Sequence, residues 1–144
     1  MMAAMDSLDR LRRTASGSFE GTPVVFAYLF GSVAEGRAGF DSDVDVAVYF
    51  EPDAPSERYL DLSLELAGTL SEASGVGGIE VLVLNEAPLP IKGRVVRRRI
   101  VLFSRDEPAR VVFESRTLRE FFDFQVHAVP MDDRMLREVA EGRR

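Results

Sequence analysis

The chain of 144 residues contains no cysteine, which excludes disulfides, zinc-thiolate centres and thiol catalysis and fits a reducing cytoplasm. A single histidine excludes a His-rich metal site, and His127 reads as a surface or packing residue rather than a general base. An excess of positive charge is also missing. The 18 basic residues face 24 acidic ones, so the formal net charge of −6 argues against direct nucleic-acid binding or broad attraction to an anionic membrane. No long apolar run is present, and the opening MMAAMDSLDRLRR acquires acidic and basic residues early, so neither a signal peptide nor a membrane span is expected. Internal repeats and low-complexity tracts are lacking too. With 46% hydrophobic residues, residues 1–144 suit one domain with a sizeable core and leave no room for a second catalytic domain.

What the chain does have is concentrated in residues 24–50, VVFAYLFGSVAEGRAGFDSDVDVAVYF. This stretch reads as an apolar strand, a glycine-bearing loop and a second strand. Residues at i and i+2 of a strand share a face, roughly 6–7 Å apart, so Asp43 and Asp45 point one way. Val44, Val46 and Val48 point the other way, as a buried sheet face requires. Two carboxylates fixed side by side repel each other unless a cation or a proton joins them, and a divalent metal is the natural guest.

Around this centre the periodicity predicts further elements. Met5, Leu8, Leu11 and Ala15 give a short amphipathic helix over residues 5–15, stopped before the first strand by Pro23. Pro52 and Pro55 punctuate a loop, with Ser56 as the expected cap of a helix from Glu57 to Ser74. Leu60, Leu62, Leu64 and Leu66 alternate as in a strand, but Tyr59, Leu62, Leu66 and Leu70 keep a period of 3.6, and composition favours helix. Gly75 to Gly78 break it and feed a third strand, Ile79 to Leu84. Asn85 is the expected cap of a short helix carrying Lys92, Arg94 and Arg97, and Ile100 to Phe103 form a fourth strand. From Glu107 a long helix follows, with Phe113, Phe121, Phe122 and Phe124 in the core or partly in a partner interface. Pro130 divides it from a charged segment that is helical in part.

Two familiar loops fail on their details. Gly31 and Gly36 have the spacing of a phosphate loop, but Arg37-Ala38 stands where Lys and Ser or Thr are needed. Asp41, Asp43 and Asp45 imitate an EF-hand, yet Val46 replaces its turn glycine and Pro52 its twelfth ligand. What survives is Gly31-Ser32, ten residues, then Asp43-x-Asp45. Glycine at a strand end lets backbone approach a ligand, and Ser32 offers a hydroxyl and an N–H to phosphate oxygens. Carboxylates on the next strand suit Mg²⁺ or Mn²⁺ held against those phosphates, the requirement of two-metal nucleotidyl transfer.

The segment LFGSVAEGRAGFDSDVDVAV resembles the signature of the DNA polymerase β-like nucleotidyltransferase superfamily, and is most similar to its minimal nucleotidyltransferase (MNT) branch. The likeness continues through GIEVLVLNEAPLPIKGRVV and SRDEPARVVFESRTLREFFDF, covering residues 24–124. It implies an α+β fold, a small mixed β-sheet packed against helices, with a core over about 20–125 and a C-terminal helical segment at 126–144. It also implies transfer of AMP from ATP, with Mg²⁺, to a tyrosine of a HEPN-domain toxin, so that the chain is the cytoplasmic antitoxin of the pair and forms an oligomer with that partner. Gly31 and Ser32 would bind nucleotide, and Asp43 and Asp45 would be metal ligands and catalytic.

One departure stands at the third carboxylate. The family carries aspartate on a later strand, where this chain has Glu80, longer by one C–C bond of about 1.5 Å. An adjacent strand lies roughly 4.8 Å away, close enough for Glu80 to act as a metal ligand or to help deprotonate the acceptor. The alternative is a weak or inactive enzyme that neutralises its toxin by binding alone; a small-molecule adenylyltransferase would need an added acceptor domain. Lys92, Arg94, Arg97, Arg98 and Arg99 fit either a triphosphate or acidic partner, or simply the dipole of a helix C-terminus.

Overall fold

A computed structural model of the chain describes residues 2–31 and 44–127. Among the described residues four α-helices and four strands follow in the order α1 (Met2–Phe19), β1 (Val24–Phe30), β2 (Val44–Phe50), α2 (Tyr59–Ser74), β3 (Ile79–Val83), α3 (Leu89–Arg97), β4 (Ile100–Ser104) and α4 (Glu107–His127). The sheet order is β3-β2-β1-β4. Strand β1 pairs antiparallel with both β2 and β4, whereas β2 and β3 run parallel, so the sheet is mixed and the fold α+β. Parallel neighbours need a long crossover, and α2 supplies it.

The sheet is covered on both sides. On one face Leu11, Ala15 and Phe19 of α1 and Leu66 and Leu70 of α2 pack on Val44, Val46, Val48 and Phe50. On the other, Phe26, Tyr28 and Ala47 meet Val95 and Ile91 of α3 and Ala109 and Phe113 of α4. Strand β1 is therefore apolar along its whole length, while β2 alternates, as the sequence pattern predicts. In α2 the competition between periods is decided for the helix. Leu66 and Leu70 are buried, and the residues that only a strand reading would bury with them, Leu60 and Leu64, are 69% and 65% exposed.

Several boundaries differ from expectation, each for a local reason. Helix α1 is longer than residues 5–15 and brings Phe19 into the core before Thr22, whose Oγ1 donates to the Phe19 carbonyl, ends it. Ser56 does not cap α2; residues Ser56–Arg58 form a 3₁₀ turn after Pro55, without a side-chain cap bond, and the α-helix starts at Tyr59. Asn85 does not cap α3, which starts after Pro88. The Asn85 side-chain amide instead accepts from the Phe50 N–H and donates to the Phe50 carbonyl, both at 2.9 Å, continuing the β2–β3 ladder with a side chain in place of backbone. Gly75 ends α2 in the left-handed conformation at φ 74°, which a glycine adopts without strain. Helices α3 and α4 approach so closely at Gly93 that a Cβ there would overlap the Phe121 ring. Phe121 is accordingly buried and Phe122, on the outer side of α4, is half exposed. The expected C-terminal segment beyond His127 lies outside the described residues.

Candidate functional site

The site forms where β1 ends and β2 and β3 begin. Val44, Val46 and Val48 face the α1–α2 core, so Asp45 must point to the opposite face, toward α3. Parallel pairing sets Asp45 directly beside Glu80, and a hydrogen bond of 2.8 Å from the Val44 N–H to the Gly78 carbonyl fixes that register at its start. The two carboxylates expected from different parts of the chain are thus neighbours on one face. On the other side Phe30 is the partner of Asp45, and Gly31 follows with φ 79°. A Cβ at Gly31 would overlap the Asp45 Oδ2, so glycine is required both by the backbone angle and by the carboxylate packed against it. Ser32 and Asp43 lie outside the described residues.

Phe30, Gly31 and Asp45 line a cavity of about 330 Å³ with Ile91, Val95, Arg94 and Arg98. The two arginines are the addition that sequence reasoning left undecided among five basic residues. Their i,i+4 spacing was the available signal, since it places both on one side of a helix. Arg97 and Arg99 turn elsewhere: the Arg97 guanidinium sits over the Phe121 ring at 5.7 Å, and Arg99 bonds the Val96 carbonyl and Glu114. A larger cavity of about 810 Å³, lined by Val25, Tyr49, Arg105 and Phe113 among others, shares none of the described residues with this one. Tyr49 is four residues along β2 from Asp45, roughly 13 Å away, so that cavity belongs to the far end of the sheet.

Behind the site is a buried polar cluster that no local motif announces. Glu114 of α4 accepts from the Tyr28 hydroxyl at 2.8 Å, from Arg110 at 2.7 Å and from Arg99 at 2.9 Å. It ties β1 and α4 to the turn that carries Arg98. Burial first, and then the bond to Glu114, push the Tyr28 phenol well above its ordinary value of about 10. The folded chain therefore holds that proton more tightly than the unfolded chain does. The resulting stability is complete below about pH 10 and is lost as the pH rises beyond it, when the unfolded state ionises first. Urea midpoints should fall from pH 9 to pH 11 more steeply in the native chain than in Tyr28→Phe; equal slopes would refute the assignment.

Asp45 and Glu80 offer hard oxygen donors without thiolate or imidazole, a set that fits Mg²⁺. Among the described residues no group of three or more acidic, histidine or cysteine side chains could hold a metal ion, and the further carboxylate of the motif, Asp43, lies outside them. Likewise no helix among the described residues is long and apolar enough to cross a membrane.

The family model described as Polymerase beta, Nucleotidyltransferase matches residues 17–108. No curated protein matches the chain. Solved structures similar in fold include a toxin-antitoxin with AMP-PNP, at 20% identity and TM-score 0.67 over 87% of this chain and 98% of that one. A chain of the toxin-antitoxin MntA-HepT matches at 18% identity and TM-score 0.62 over 88% and 97%. A third is the tri-AMPylated Shewanella oneidensis HEPN toxin in complex with MNT antitoxin, at 17% identity and TM-score 0.62 over 90% and 98%. At these identities the likeness shows the shared fold.

Proposed function

Since the chain belongs to the polymerase beta nucleotidyltransferase family, we propose that it transfers AMP from ATP to a tyrosine hydroxyl of a HEPN-type toxin and is the antitoxin of that pair. The observation that carries this reading is the register of Asp45 against Glu80, with the Gly31 backbone touching the Asp45 carboxylate. The cysteine-free composition suits a cytoplasmic setting.

Asp43, Asp45 and Glu80 would hold Mg²⁺. When bound, the ion neutralises phosphate charge and makes the acceptor hydroxyl more acidic. The residues of the chain do the rest. Gly31, lacking a side chain, admits the phosphates to the strand end, and Ser32 donates its N–H and hydroxyl to their oxygens. The acceptor oxygen bonds to the α-phosphorus, the bond from that phosphorus to the bridging oxygen breaks, and pyrophosphate leaves with the electron pair. Glu80 would help to take the proton of the acceptor.

The glutamate at position 80 is also the observation that favours a second reading, neutralisation by binding alone. ATP labelled at the α-phosphate, incubated with the chain and its toxin, separates the two. Label should appear on a toxin tyrosine and fall by about 100-fold or more in Asp45→Asn, a loss typical for a principal electrostatic group of a site. Neutralisation without label would establish the binder. If Glu80→Gln transferred at the native rate, Glu80 would have no part in the chemistry.

A further inference from the structure

Building on the transferase reading, we infer that Arg94 and Arg98 form the anion-binding wall of the nucleotide cavity: they grip the β- and γ-phosphoryl oxygens and hold pyrophosphate as it leaves. The basic stretch of residues 92–99 carries five cations, and the fold divides their duties. Arg97 lies over the Phe121 ring, Arg99 is bound to Glu114, and Lys92 is absent from the cavity lining. Of these five, Arg94 and Arg98 line the cavity that holds Asp45 and Gly31. The helix dipole accounts for positive charge near the end of α3, but it acts equally on Arg97 and does not select these two.

The cavity has the chemistry of a phosphate site. Among the described residues, Arg94 and Arg98 bring two guanidinium groups to the wall of a cavity that Asp45 also lines. Its volume of about 330 Å³ lies at the small end of ligand pockets, which run from about 300 to 1,000 Å³. Guanidinium binds phosphate through paired N–H donors and stays charged at any working pH. Asp45 and Glu80 by themselves would repel a polyphosphate, whereas donors in the last turn of α3 and at its C-cap meet the negative charge that accumulates on the bridging oxygen when its bond to the α-phosphorus breaks. Ile91 and Val95 give the same wall an apolar backing, which strengthens such contacts by excluding water.

Calorimetric titration of the full chain with inorganic tripolyphosphate in EDTA, and with ATP and AMP in magnesium, tests this assignment. Arg94→Ala and Arg98→Ala should each weaken tripolyphosphate and ATP binding by about tenfold or more, the usual effect of losing a charge-assisted bond, and should change AMP binding less. Arg97→Ala, on the same helix but outside the cavity, should bind all three as the native chain does. Native ATP and tripolyphosphate affinity in both cavity variants would overturn the inference while leaving nucleotidyl transfer intact. Tripolyphosphate binding that depends on both arginines, in a chain that never labels a toxin, would sink the transfer reading and leave the anion site standing. A native chain that binds neither tripolyphosphate nor ATP would overturn the inference.

Discussion

Glu114→Ala is expected to lower the stability of the fold by about 3–5 kcal/mol, the range for removing one member of a buried ion cluster. The size follows from what is left behind. Arg99 and Arg110 lose the carboxylate between them, and the buried Tyr28 hydroxyl loses its acceptor. Arg110 would keep Glu107, but that partner is largely exposed and its ion pair is worth correspondingly little. Chemical denaturation measures the loss directly. A change below about 1 kcal/mol would mean that water or a shifted side chain replaces Glu114 and that the cluster is not the brace described above. Because the cluster also anchors Arg99, next to Arg98, ATP affinity should fall at temperatures where the variant is still folded.

Gly31→Ala is expected to have the largest effect on transfer of any single methyl group added to the chain. A left-handed residue with a Cβ costs about 1–2 kcal/mol, which is tolerable for the fold. The new carbon, however, must displace the Asp45 carboxylate or push Gly31 away from it. A shift of about 1 Å in a reacting group can cost 100-fold in rate, so label transfer should drop by at least that factor while the thermal midpoint moves only a few degrees. Measuring both in one preparation is decisive. An alanine variant that transfers AMP at the native rate would show that Asp45 has room to move and that the close contact is incidental.

How far the sequence alone reached can be judged residue by residue. Alternation in β2 placed Val44, Val46 and Val48 inward and left Asp45 for the site, because a strand's two faces are written directly into its period. The period of α2 likewise separated Leu66 from Leu64. Pairing between distant segments is not written locally. Nothing in residues 79–83 states that β3 runs parallel to β2; Glu80 became a candidate through family resemblance, and its place beside Asp45 is a property of the sheet. Asn85 misled because asparagine suits helix caps as well as turns, and here its amide found strand backbone first. The basic stretch hid its division of labour until the start of α3 after Pro88 fixed which arginines share a side. Glu114 lay beyond reach for the same reason as the pairing: its bond to Tyr28 joins residues 86 positions apart.

The alignment of Asp45 with Glu80 makes the linker after α2 a measuring device whose units are single residues. Inserting or deleting one residue among Gly75–Gly78 would exchange Glu80 for Ile79 or Val81, respectively, at the same rung and expose hydrocarbon where a carboxylate is wanted. Two residues would restore the correct side but displace the acid by about 6–7 Å along its strand. Length variation between α2 and β3 is therefore governed by parity as well as by amount, and homologous chains that keep an acid here should differ in that linker only where a bulge absorbs the odd residue.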